Sequence, residues 1–169
     1  MKSKIGFGGG CHWCTEAVFS MLEGVEKVEQ GWIKSTQPYD TYSEAVVVHY
    51  DPKIISLSLL IKVHLETHSS TANHSMRSKY RSAVYYFQDE DEKNSQSLLK
   101  EYSDTDYKNY ITLVLPFVSF KINQEQFLEY FKKNKNAPFC KTYIIPKIDH
   151  IKKIFPAILL EENNVELYS

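Results

Sequence analysis

The spacing of apolar residues along the chain changes several times, and each change marks an element. Ser3 to Phe7 is a short run, with Ile5 and Phe7 apolar, that reads as a buried strand. From Cys11 to about Leu22, residues Trp13, Ala17, Val18, Met21 and Leu22 share one broad face at helical spacing. Gly24 stands where such a helix would end. Val25 to Ile33 can form a second strand, and Ser35 to Asp40 is a polar turn. Ser43 to Tyr50 is the clearest strand, with Val46, Val47 and Val48 in a β-branched run closed by Asp51-Pro52. Ser56 is a candidate N-cap for a helix carrying Leu59, Leu60, Val63, His64 and Thr67. His68 to Ser78 has no apolar period and reads as a polar loop. Ser82 to Phe87 is a strand, Asp89 to Ser103 an amphipathic helix with an acidic start, and Tyr110 to Leu115 a strand ending at Pro116. Gln124 to Asn134 follows as a helix. From Lys135 to Ser169, the prolines Pro138, Pro146 and Pro156 interrupt short apolar runs, which predicts an irregular wrap plus one short helix near Asp149–Phe155.

Strands and helices alternate, with two adjacent strands in the middle. The expected fold is α/β in the broad sense, an α+β two-layer sandwich with a mixed sheet, helices packed on it and a ferredoxin-like core. No repeat, low-complexity run or linker divides the chain, so residues 1–169 are expected to form one domain.

Composition narrows the possibilities. Of 169 residues, 43% are hydrophobic and 24% charged, as in an ordinary soluble domain with a substantial core. A net charge of −1 gives no case for nucleic acid or an anionic membrane. No stretch approaches the ~18 apolar residues of a membrane span. The segment from Met1 to Ile5 runs straight into the glycine turn and is expected to leave no room for a signal peptide; the small number of cysteines gives the expectation of a reducing cytoplasm. Three cysteines make no disulfide framework and leave thiols available for chemistry. All six glycines lie at or before Gly31, so later turns must use Pro, Asn, Asp and Ser.

The concentration of glycine focuses attention on Gly8-Gly9-Gly10-Cys11, between the first strand and the first helix. Glycines allow a tight turn and a close approach of backbone to ligand. A cysteine at the first turn of a helix meets unpaired N–H groups and the positive end of the helix dipole, which favour the reactive thiolate. The residues alone leave a second reading open, in which the glycines are only a turn and Cys11 a small buried hydrophobe. Neither dinucleotide-binding nor P-loop spacing is present.

Four segments then resemble one family. Gly9-Gly10-Cys11-His12-Trp13-Cys14-Thr15-Glu16 is similar to the G-G-C-F-W-x-x-E signature of A-type peptide methionine sulfoxide reductases. Glu44 to Pro52 resembles the family's E-A-V-x-V-x-Y-D-P strand, and Tyr80-Arg81-Ser82-Ala83-Val84-Tyr85 its Q-Y-R-S-A-I-Y segment. Lys133-Asn134 followed by Pro138-Phe139-Cys140 resembles the K-N-P-x-G-Y-C tail. The resemblance implies reduction of the S epimer of methionine sulfoxide, free or in peptides, by a monomer with no bound cofactor and no metal. Cys11 would be the nucleophile and Glu44 the acid that hydrogen-bonds or protonates the sulfoxide oxygen. Tyr80 would donate to the same oxygen, and Trp13 would wall the pocket for the S-methyl group. The resulting sulfenic acid would condense with Cys140, on a mobile tail, and thioredoxin or another dithiol would restore the thiols.

The departures from the family pattern are also specific. His12 replaces a phenylalanine of the methyl pocket with a titratable ring. The stretch between Trp32 and Glu44 lacks a glycine-rich loop and its P-T-Y motif, for which Tyr42 or Tyr39 could substitute. Asn73 to Lys79 replaces G-N-D-x-G-T-Q, with Ser75 at the approximate place of an aspartate, and the A-E-x-Y-H-Q stretch has degenerated around Phe120 to Gln126. Cys14 makes a C-x-x-C with Cys11 and is a second candidate for the resolving thiol. Two other classes stay open: a general thiol–disulfide oxidoreductase using Cys11 and Cys14, and a Cys/His metal-binding module drawing on His12, His68 or His74.

Overall fold

The computed structural model describes residues 2–159. Its centre is a six-stranded sheet built from β1 (Ser3–Gly8), β2 (Val25–Lys34), β3 (Ser43–Tyr50), β4 (Ala83–Tyr86), β5 (Leu113–Pro116) and β6 (Ser119–Ile122), in the order β5-β4-β1-β3-β2-β6. Only β4 and β5 run parallel; every other neighbouring pair is antiparallel. The first helix, α1 (His12–Ser20), links β1 to β2 while β3 lies between them, the split β-α-β arrangement of a ferredoxin-like core.

The alternation of side chains sorts the sheet's two faces. Ile5, Phe7, Val46, Val48, Tyr50 and Val84 point to one side and pack with residues of α1, α2 (Leu57–Glu66) and α5 (Ile145–Ile154) in the main core. Ile33, Ala45, Val47, Ala83, Tyr85 and Leu115 face the other way and form a smaller cluster with Tyr39, Phe117 and Phe120. The central position of β3 explains its apolar run, since six of its eight positions from Ser43 to Val48 are buried in sequence. Ser56 caps α2 through its hydroxyl, which accepts from the Leu59 N–H at 3.1 Å. Helix α3 (Asp89–Asp106) opens on four acidic residues and ends at Tyr107, whose φ of 53° takes a left-handed place usually given to glycine. No described helix is long and apolar enough to cross a membrane.

Three parts differ from the sequence expectation. Strand β6 was not anticipated: it adds an edge to β2, with Gly31 opposite Ile122 and Lys34 opposite Ser119. A Cβ on Gly31 would run into the Lys121 carbonyl, so the close approach of the two strands requires glycine there. The expected helix from Gln124 to Asn134 is instead a 3₁₀ turn at Glu125–Phe127 and a single helical turn, α4 (Tyr130–Lys133), separated by Glu129 at a φ of 52°. The break has a cause in α1: the buried Glu16 carboxylate accepts from the N–H groups of Glu129 (3.0 Å) and Tyr130 (3.3 Å), and from the Gln30 amide at 2.8 Å. Finally, the region after Lys135 is more helical than an irregular wrap. A π-helical turn, Cys140–Ile144, runs directly into α5, which starts well before Asp149. Pro146 lacks an N–H, and the wider turn before it lets the helix pass that gap.

Candidate active site

The glycine turn is held by donors from distant segments. The His64 ring donates to the Gly8 carbonyl through Nε2 at 2.7 Å, and Arg77 Nη1 donates to the Gly9 carbonyl at 2.9 Å. Gly9 has a φ of +151°, and a Cβ there would strike the His68 ring. Arg77 also reaches the carbonyls of Ala72, Ser69 and Tyr80, so one guanidinium ties the polar loop to the turn.

Cys11 sits directly before the first helical residue, at the N-cap of α1, and its carbonyl accepts from the N–H groups of Cys14 and Thr15. The Cys11 thiol lies below its ordinary range. Chiefly this is because the Cys14 S–H is directed at its sulfur, helped by the N–H groups of Trp13 and Cys14; burial and the charge of Glu44 oppose the shift. Cys14 is pushed the other way by its bond to Cys11 and by burial. The C-x-x-C therefore holds one thiol primed for attack and one that keeps its proton.

Cys11 and Cys14 line a cavity of about 300 Å³, together with Gly9, Gly10, His68, His74, Tyr80, Phe139 and Tyr143. Tyr80 is half-buried at its rim, under the ammonium of Lys79 at 5.0 Å. Glu44 is 7% exposed at the start of β3, beside this cavity rather than lining it. Its Oε1 accepts from the His12 backbone N–H at 3.3 Å, and its Oε2 lies 3.7 Å from Lys79 Nζ. Its backbone N–H donates to the Lys79 carbonyl, so Glu44 and the Lys79-Tyr80 pair are fixed to each other. Trp13 is half-buried in an aromatic stack, 4.0 Å from the Tyr130 ring and nearly parallel to it, with Phe139 edge-on at 5.4 Å.

Other sequence candidates lie elsewhere. His12 turns away from the cavity and is buried, with Nδ1 2.8 Å from the Gly31 carbonyl and the ring edge-on to Trp32 at 5.1 Å. Tyr42 meets Ser119 through its hydroxyl and lies under Lys34 and Lys121, away from the cavity lining. Tyr39 packs in the smaller core cluster. Cys140, expected on a mobile tail, is fully buried in the π-helical turn, where burial pushes its thiol up. Asn123, Gln30 and Arg77 were not singled out by sequence; His12 and Asn123 are 111 residues apart, and no local pattern links them. Among the described residues, no group of three or more His, Cys, Asp or Glu side chains is placed to hold a metal ion.

Known proteins are similar to this chain in sequence and fold. Peptide methionine sulfoxide reductase MsrA of Sulfolobus acidocaldarius is 32% identical over 163 residues, covering 88% of this chain and 93% of that protein. The structure of reduced Mxr1 from Saccharomyces cerevisiae superposes with a TM-score of 0.74 at 22% identity, over 84% of this chain and 91% of the yeast chain. A structure of Mxr1 in complex with Trx2 matches with a TM-score of 0.61 at 22% identity, over 76% of this chain and 84% of that one. The family model for peptide methionine sulfoxide reductase matches residues 3–158, and the chain belongs to that family.

Proposed function

We propose that the protein reduces the S epimer of methionine sulfoxide, free or within peptides, with Cys11 as nucleophile. The observation that carries this reading is a thiol held below its ordinary range at a helix start, facing a cavity of about 300 Å³ beside Tyr80 and Glu44. The Cys11 thiolate attacks the sulfoxide sulfur, and the sulfoxide oxygen takes a proton from Glu44 while Tyr80 donates a hydrogen bond to it. Oxygen passes to Cys11 as a sulfenic acid and the substrate leaves as the sulfide, so the thiol is oxidised by the two electrons the sulfoxide gains. Phe139, which lines the cavity and packs edge-on against Trp13, supplies an apolar wall suited to a thioether methyl.

A second thiol then displaces water from the sulfenic acid and forms a disulfide. Cys14 is already in hydrogen-bond contact with Cys11, whereas Cys140 must leave the core first. This favours Cys14 as the first resolving thiol, with Cys140 able to act only after local opening. Thioredoxin, the class of partner named for the yeast relative, or a small dithiol would reduce the disulfide and complete the cycle. The reading includes a cytoplasmic monomer that needs no metal or bound cofactor.

The deciding assay is a single turnover with separate S and R epimers of a methionine sulfoxide peptide, on wild type, Cys11→Ser and Glu44→Gln. Reduction of the S epimer alone, abolished by Cys11→Ser and slowed about 10²-fold or more by Glu44→Gln, is expected. Reduction of neither epimer by wild type would refute the activity, and an undiminished Glu44→Gln rate would remove Glu44 from the chemistry.

A further inference from the structure

Of the 20 Lys and Arg residues in the chain, only Arg77 and Arg81 are arginines. Both line one cavity of about 420 Å³, with Tyr39, Thr41, Asn73 and Leu113 among its other walls. This cavity shares no lining residue with the one that faces Cys11. Arg81 is 5% exposed, just ahead of β4, and its guanidinium carbon lies 5.7 Å from the centre of the Tyr39 ring. Its Nη2 donates to the Thr41 carbonyl at 2.8 Å and to the Thr41 hydroxyl at 2.9 Å, and its Nη1 to the Tyr85 hydroxyl at 3.2 Å. Those bonds leave one Nη1–H and the Nε–H without an acceptor among the described residues. Arg77 directs its donors at the carbonyls of Ala72, Gly9, Tyr80 and Ser69. Every acceptor of the two guanidiniums is thus a neutral oxygen.

Arginine keeps its charge inside proteins, and neutral oxygens offset only part of the cost of taking that charge out of water. Two such charges beside one cavity call for a counter-charge, which the described residues do not supply. No ion pair among them includes either arginine, and no acidic side chain lines the cavity. Asp40, between Tyr39 and Thr41 in sequence, is exposed and outside the lining. Burial pushes the Arg77 guanidinium down, with no carboxylate acting against it. Arginine differs from the lysines used elsewhere in presenting a planar fork of N–H groups, which fits the oxygens of a phosphate or a carboxylate. A phosphate group carries close to two negative charges near neutral pH, as many as the two arginines offer, whereas a carboxylate carries one. We propose that this cavity is an anion site for a phosphate group, held between Arg77 and Arg81. The group is either free phosphate or the head of a small organic phosphate whose apolar part lies along Tyr39 and Leu113. Binding here does not depend on the proposed sulfoxide reaction, since no residue lining the Cys11 cavity lines this one.

With only two arginines in the chain, the arginine Nε–H region of a ¹⁵N–¹H NMR spectrum reports on this site in the wild-type protein. The titrants are inorganic phosphate, phenyl phosphate, acetate and chloride, at constant ionic strength so that screening is equal. Both signals are expected to move and saturate with inorganic phosphate, half-complete at about 1 mM or below, and to stay in place with acetate and chloride. Phenyl phosphate that binds about threefold tighter or more assigns the site to an organic phosphate, and any smaller gain assigns it to the free anion. Signals that drift without saturating, or that respond equally to acetate or chloride, would overturn the proposal. Calorimetric titration of Arg81→Gln, with its fold checked by circular dichroism, should show phosphate binding weakened about tenfold or more. A folded Arg81→Gln that binds phosphate as wild type does would also overturn it. Where that variant does not fold, the wild-type titration decides alone.

Discussion

Acidification should destabilise the protein through His68, and the size of the effect can be worked from its surroundings. The His68 ring lies under Gly9 and stacks on His64 at 4.2 Å. Its Nδ1 donates to the His64 carbonyl, so Nε2 is the acceptor of the Ser82 hydroxyl at 2.8 Å, and Ser82 in turn accepts from Thr112 at 2.8 Å. Protonating Nε2 would reverse both hydroxyls and place a cation near Arg77 and Lys147. Burial first, and those two cations after it, push His68 from 6.5 down to about 4. In the unfolded chain the ring takes a proton near the ordinary value. Between those limits the unfolded state binds more protons than the native state, so stability falls as pH falls and stops falling once the native ring also titrates. Near pH 5 the loss relative to about pH 8 is at most about 2 kcal/mol, an upper figure because the ring keeps an edge on the cavity. With a urea slope of about 2 kcal/mol/M, that is a midpoint shift of about 1 M. The assay is urea unfolding of wild type and His68→Gln at both pH values. Wild type should lose more on acidification than His68→Gln by about that amount, since Gln does not titrate. Equal losses in the two proteins would refute the argument.

Glu16→Ala should cost about 3 kcal/mol or more, because the Gln30 amide and the N–H groups of Glu129 and Tyr130 lose their acceptor at roughly 1–3 kcal/mol each; a loss under about 1 kcal/mol in thermal or urea melts would contradict this. Gly31→Ala should cost at least about 2 kcal/mol, through the collision with the Lys121 carbonyl, and should speed amide exchange where β2 meets β6; unchanged exchange would show that β6 is not held in this way. After one turnover, Cys140→Ser should contain a Cys11–Cys14 disulfide by mass spectrometry, while Cys14→Ser accumulates a sulfenic acid that dimedone traps. The reverse pattern would make Cys140 the first resolving thiol.

Elements whose cause is local were legible in the sequence. The valine run of β3, the Ser56 cap of α2 and the acidic opening of α3 all carry their signal in consecutive residues. Strand β6 does not: Ser119–Ile122 has only Phe120 and Ile122 as apolar positions, and what makes it a strand is β2 beside it. The segment from Gln124 to Asn134 has helical composition, but Glu16, more than a hundred residues earlier in the chain, takes the N–H groups that break it. Pro146 suggested an interruption, and a π-helical turn absorbs it instead. At the site, motif resemblance pointed to Cys11, Glu44 and Tyr80. Where His12 would turn was invisible, because its direction is set by a carbonyl on β2 and an amide beyond β6.

The glycine turn has one more consequence. Three consecutive glycines are the most freely jointed stretch the chain could have offered, and a nucleophile carried on such a stretch would sample many directions. Here the carbonyls of Gly8 and Gly9 are tethered by His64 and Arg77, residues supplied by two other parts of the fold. The freedom of those glycines is therefore surrendered when the protein folds, before any sulfoxide arrives. Encounter with substrate then requires little further ordering of the backbone around Cys11, and more of the binding energy remains for aligning the reacting sulfur atoms.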